Sequence, residues 1–230
     1  MPDIRVINTK NRIYKGFLSS IKERSLNNTT TKDIIREAEI SQKTFYTYYE
    51  NQNELLDEME EECLTDLRDA LIKDREALSQ IDEVSNQLQL AELADQTFVN
   101  TIDTCANHRE VAGTLLSYKG NINFLAKIKK LVSNEFVTRL PKLIVSHRSV
   151  WDQLRFTPNV KIPADYVTEI YVNLIVNIIS YWLTSEDPIS KRDVRNILGI
   201  SQVLSPLQLL AGTDVPTNPI NQVHPTKKTE

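Results

Sequence analysis

The 230-residue sequence predicts an all-α protein in which three short N-terminal helices precede a larger helical bundle. Two observations carry that expectation. Helix breakers are scarce: there are 5 Gly and 9 Pro, no Pro lies between Pro2 and Pro141, and only Gly16, Gly113 and Gly120 interrupt that stretch. Apolar residues also recur at steps of three and four through most of the chain, the spacing of one helical face. At 40% hydrophobic and 25% charged residues, the composition is that of a globular chain rather than a disordered one.

The elements follow in order. Over residues 10–25, Ile13, Phe17, Leu18 and Ile21 form an inward stripe with Lys and Arg on the remaining face, which makes a first helix. Leu26, Asn27 and Asn28 break the pattern, and the Thr29-Thr30-Thr31 run supplies hydroxyls to cap a second, short helix with Ile34, Ile35 and Ala38 inside. That helix stops near Glu39-Ile40, and Ser41 can cap a third through about Tyr48. Asn51 or Asn53 then caps a long helix to about Leu78, carrying Leu55, Leu56, Met59, Cys63, Leu67, Ala70 and Leu71 inward and an acidic outer face.

A helix from Asp82 to Asn107 places Asp95 on the same stripe as Val84, Leu88, Ala91, Phe98, Ile102 and Cys105. A short helix follows Arg109, and after a Gly120-Asn121 break another starts at Asn123 with Leu125, Ile128, Leu131, Val132, Phe136 and Leu140 inward. Residues 146–162 read as a loop, flanked by Pro158 and Pro163. The next helix, through Thr184, is apolar almost all round except for Glu169, Asn173, Asn177 and Ser180, so part of its surface is expected to meet a second copy of the chain. A last helix spans Lys191 to about Leu210, and residues 211–230 read as a disordered tail.

Several function classes lose support at this stage. Cys63 and Cys105 show no C-x-x-C spacing, so neither a disulfide framework nor a zinc cluster is expected, and a reducing cytoplasm is the default. The N-terminus MPDIRVINTKNR has no signal-like apolar core. The longest uncharged apolar stretch, Ile170 to Ser185, falls short of the roughly 20 residues of a bilayer span, so no membrane partner is expected. With no Gly-rich phosphate loop, no H-E-x-x-H and no metal-ligand cluster, neither enzymatic activity nor a cofactor or metal is expected.

The turn between the second and third short helices has helix-turn-helix spacing. In such a unit the second helix enters the major groove of DNA. Here it presents Gln42, Lys43, Thr44, Tyr46, Thr47 and Tyr48, all hydrogen-bond donors, while Phe45 and Tyr49 face inward. The net charge of −4 looks adverse to nucleic acid, but it averages two unlike parts. Residues 1–53 hold nine basic and six acidic residues, a balance of +3 against −7 for the remainder.

The run T-T-K-D-I-I-R-E-A-E-I-S-Q-K-T-F-Y-T-Y-Y-E-N-Q-N-E-L-L from Thr30 to Leu56 resembles the N-terminal signature of the tetracycline-repressor (TetR) family. More weakly, N-H-R-E-V from Asn107, G-N-I-N-F-L from Gly120 and Tyr181-Trp182-Leu183 are similar to one branch of its C-terminal domains. The resemblance implies a DNA-binding domain over residues 1–53 and a ligand-sensing and dimerisation domain over 54–210. It implies a homodimer built on the last two helices of each subunit, with Tyr171, Ile175, Trp182, Ile197 and Leu204 as candidate interface residues. It also implies a double-stranded DNA operator and a small-molecule effector. Gln42, Lys43, Thr44 and Tyr46 match base-reading positions, Lys32 a further groove contact, and Thr30, Thr47 and Tyr48 phosphate-gripping ones. Asp95, Asn173 and Asn177 are the candidate polar groups of a ligand pocket. Two residues depart from the family pattern: Glu39 stands where Gly is usual in the turn, and Gln52 where Lys usually opens the fourth helix. The expected function is a ligand-responsive regulator, usually a repressor. The alternative is a co-regulator that acts through a protein partner with little DNA binding.

Overall fold

Asp3 opens the first helix, α1 (Ile4–Arg24), by accepting the Arg5 N–H at 2.9 Å and so satisfying one free donor of the first turn. The helix starts earlier than its apolar stripe predicts, because Ile4 and Ile7 stay exposed and add nothing to that stripe. The computed structural model describes residues 3–78, 98–146 and 163–201, and these hold nine α-helices and no strand. The chain is all-α in its described residues.

After a 3-10 turn (Leu26–Asn28), Thr30 and Asp33 cap α2 (Thr31–Glu37) reciprocally, each side chain accepting the other's backbone N–H. Ser41 caps α3 (Gln42–Tyr48) through the Thr44 N–H at 3.0 Å. Of the two residues that could cap α4 (Gln52–Leu78), Asn51 does so, accepting the Asn53 and Glu54 N–H groups at 2.8 and 3.1 Å. Ile13, Phe17, Ile21, Ile34, Phe45 and Leu55 are fully buried and form the core of this head, with Met59 one turn further along α4.

The remaining elements are α5 (Val99–Asn107), α6 (Arg109–Leu116), α7 (Ile122–Ser146), α8 (Ala164–Thr184) and α9 (Lys191–Ser201). Helix α7 stays helical through Pro141 and runs to Ser146, where the loop is expected to begin. Helix α4 packs on α5 and α7, and α8 packs on α5, α6, α7 and α9. The predicted N-terminal part of the Asp82–Asn107 helix, with Asp95, lies outside the described residues, as do residues 147–162, Leu204 and the tail 211–230.

Helix α8 is covered by its own chain on one face only. Val172, Ile175, Val176, Trp182 and Leu183 are buried, whereas Tyr166, Ile170 and Tyr181 are 65%, 65% and 77% exposed. By length and composition alone it could cross a membrane, but its buried face packs into a helical bundle.

Candidate nucleic-acid interface

Helices α2 and α3 form the helix-turn-helix, and the turn between them is set by α1. A Cβ added to Gly16 would lie 2.6–2.9 Å from the Ala38 backbone and Cβ, so only glycine lets the end of α2 approach α1 this closely. The chain then reverses at Glu39, whose φ of 50° lies in the left-handed region. Without glycine the turn could take a different backbone or strain this residue, and it strains the residue, at about 1 kcal/mol. Arg12 of α1 holds it, donating from Nη2 to the Glu39 carbonyl at 2.5 Å.

Phe45 and Tyr49 face inward, as their spacing predicts, and their rings lie 5.9 Å apart. That anchorage turns the rest of α3 outward. Gln42, Lys43 and Thr47 are exposed, Tyr46 is 51% exposed with its ring edge-on to Phe45, and Thr44 and Tyr48 are half-buried. Thr30 and Lys32 are exposed at the start of α2. Thr30 has a demonstrable capping role, and Thr44 Oγ1 lies 2.8 Å from Ser41 Oγ.

The charges sort themselves on this surface. Lys10, Arg12, Lys22, Arg24 and Arg36 all meet carboxylates: Glu58, Glu39, Glu110, Asp33 with Glu23, and Asp33 with Glu37. Lys32 and Lys43 make no ion pair with any described residue. The two lysines on the α2–α3 face are thus uncompensated among the described residues, as are Arg5 and Lys15 on α1, and their place on that face suits a surface that meets an external polyanion.

A half-buried knot ties the head to α4. Glu58 accepts from Lys10 Nζ at 2.8 and 3.0 Å, Tyr14 Oη at 2.7 Å and Tyr49 Oη at 2.9 Å, joining α1, the end of α3 and α4. Burial pushes the Glu58 carboxyl up, but these donors outweigh it and hold the group below its usual range. Burial and the bond to Glu58 push both tyrosines up. A second tie runs from α6: Glu110 pairs with Lys22 at 3.2 Å, and Leu26 N–H donates to the Lys119 carbonyl at 2.8 Å.

Beyond the head, α4–α8 enclose a cavity of about 70 Å³. One water needs roughly 10–15 Å³ by this measure, so the space exceeds a single solvent molecule. Its walls are chiefly apolar, among them Leu67, Phe98, Phe124, Ile128, Ile175 and Leu183. Cys63 and His108 also face it, and Phe136 stacks on Tyr171 at 4.0 Å in its wall.

The residues expected to make a pocket are not the ones that line it. Asn173 donates to the Glu169 carbonyl and carboxylate on its own helix, at 2.8 and 2.6 Å, and Asn177 is exposed; neither lines the cavity. Tyr171 and Ile175, singled out for an interface, line it instead. Trp182 is buried, its indole N–H donating to Ile189 O at 2.7 Å and its face covered by Arg109 at 4.3 Å. Ile197 is exposed. Sequence reading missed Glu58, Asp66 and His108 as functional groups, because their partners are 42 or more residues away except for Tyr49. Among the described residues no group of three His, Cys, Asp or Glu could hold a metal ion.

Residues 14–59 match the family described as bacterial regulatory proteins, tetR family. Among solved structures, the chain is similar to a protein of Syntrophomonas wolfei described as a TetR-family transcriptional regulator. The two share 15% identity over 93% of this chain and 100% of that one, with a TM-score of 0.52. It is also similar to a TetR transcriptional regulator of Streptococcus agalactiae, at 20% identity over 86% and 95% of the two chains and a TM-score of 0.48. At such identities the first of these likenesses speaks to fold. No curated protein matches the sequence.

Proposed function

We propose, from the match of residues 14–59 to the tetR family of bacterial regulatory proteins, that the chain binds a pseudo-palindromic DNA operator as a homodimer and releases it when a small molecule enters the cavity. The observation that carries the DNA half is the α2–α3 surface: a polar, acid-free recognition helix held by Phe45 and Tyr49, with Lys32 and Lys43 uncompensated. In this reading Gln42, Lys43, Thr44 and Tyr46 read bases, Lys32 adds a groove contact, and Thr30, Thr47 and Tyr48 hold phosphates. The site of action is the cytoplasm, where the DNA is.

The exposed side of α8 and α9 supports the dimer. Tyr166, Ile170, Asn177 and Tyr181 recur at steps of four and seven on one face of α8, and Ile197 and Ile200 are exposed on α9. Apolar surface of this kind on two adjacent helices suits a second copy related by a two-fold axis.

Two routes from the cavity support its coupling to DNA. Helix α4 lines it with Cys63, Leu64, Leu67 and Leu71 and holds the head through Glu58; α6 lines it with Ala112 and Leu116 and touches α1 through Glu110. A ligand that fits one arrangement of α4 and α6 better than the other shifts the head spacing by population, with a coupling of about 1–3 kcal/mol. A mobility-shift assay with the DNA flanking the chain's own gene tests the reading. Retardation by the ligand-free protein at low salt is expected, and none under those conditions would overturn it.

A further inference from the structure

The charged groups at the cavity wall are already paired with one another, and this restricts what the cavity can hold. Glu135 accepts from Arg75 at 2.9 and 3.1 Å, and His108 Nε2 lies 2.7 Å from Asp66 Oδ2. Among the described lining residues a carboxylate ligand would find no spare cation, and an ammonium no spare carboxylate; either would be buried among chiefly apolar side chains without an opposite charge. Thr101, Thr104 and Ser180 bring hydroxyls to the wall, and a further polar point is adaptable. Asp66 is an acceptor, so His108 donates to it from Nε2, and Nδ1 of the neutral ring keeps its lone pair. Its neighbour is the Cys63 sulfur at 3.4 Å. Burial, reinforced by Glu62 and Asp66, pushes the Cys63 thiol up to about 12, so the sulfur stays protonated and acts as a weak donor to Nδ1. Both Cys63 and His108 line the cavity. A stronger donor entering the cavity can displace the thiol at no loss of paired charge.

We propose that the cavity takes an uncharged, largely apolar molecule bearing one hydroxyl, whose O–H donates to His108 Nδ1 in place of the Cys63 thiol. The assignment rests on the cavity's being the effector site. It also gives that site a route to the head, because Asp66, which orients His108, stands on α4 two turns beyond Glu58.

Calorimetric titration of the full chain with octanol, methyl octyl ether, octanoate and octylamine tests it. Octanol is expected to bind. The ether, which offers no donor, should bind about tenfold more weakly, and the two charged probes roughly a hundredfold more weakly. His108→Phe should bring octanol to the level of the ether. In the wild-type protein the ¹⁵N resonance of His108 Nδ1 should move with octanol and not with the ether, a readout that survives if the variant does not fold. Ether or octanoate binding as tightly as octanol, or an unmoved Nδ1 resonance under saturating octanol, would overturn the inference. The regulatory reading fails separately: octanol that binds in the expected pattern yet leaves the DNA complex intact supports the ligand class and removes its coupling to DNA.

Discussion

Glu39 shows how one residue can leave a fold intact while straining it. Its left-handed backbone is imposed by the short turn and by the close approach of Ala38 to Gly16, and Arg12 fixes its carbonyl. Glu39→Gly should therefore stabilise the protein by up to about 0.5 kcal/mol, the relieved strain of about 1 kcal/mol being partly offset by glycine's backbone entropy. A higher denaturant midpoint at unchanged slope would show it. Lys43 carries a different expectation. It meets no described carboxylate and projects from a helix anchored by Phe45, so its truncation should leave the fold alone. Lys43→Ala should weaken operator binding by about 1–3 kcal/mol and relax sequence preference at one position. Equal weakening on unrelated DNA in a competition assay would assign it to phosphate instead.

At the scale of elements, helix termini borrow partners from other helices. Asp74, fully buried on α4, accepts the Asn100 and Thr101 N–H groups and both their side chains at 2.6–2.9 Å, and so caps α5 from outside its own chain segment. Asp74→Ala strands several buried donors and should destabilise the chain by about 3 kcal/mol. Equilibrium unfolding measures it, with Asp74→Asn retaining part of the loss. The Glu58 knot makes the attachment of the head pH-dependent. Because the folded carboxyl titrates below its ordinary value near 4.5, its contribution is present above that value and is lost as the pH falls through the folded one. Thermal unfolding from about pH 6 to 3 should show a steeper loss of stability for wild type than for Glu58→Gln.

For the whole molecule the decisive surface is the outer face of α8 and α9. Tyr181→Glu places a charge where 77% of the side chain is open to solvent in a single chain, so the monomer should fold unchanged. If that face joins two copies, sedimentation should give a monomer, and operator affinity should fall steeply, because each +3 head contributes little alone. A dimer that survives the substitution would place the interface elsewhere. Helix α8 is apolar almost all round because Tyr, Ile and Val dominate it, and its own chain covers only one face, which leaves the other for the second copy that its composition leads one to expect.

Much of the head was legible in sequence because its determinants are local. Thr30 and Ser41 are helix caps, Phe45 and Tyr49 are one turn apart, and the turn at Glu39 follows from two short helices. These depend on backbone donors and side chains within four residues of one another, so spacing alone exposes them. The cavity was not legible. Asn173 satisfies itself on Glu169, whereas Cys63, Asp66 and His108 are brought together only by the packing of α4 against α5 and α6. The sequence by itself determined the helices, their caps and the polar face of α3, since each is a short-range consequence of the order of residues. Tertiary structure decided which charges cancel, which lysines remain uncompensated, and where a ligand can find a lone pair. Those depend on distances between residues far apart in the chain, about which periodicity carries no information.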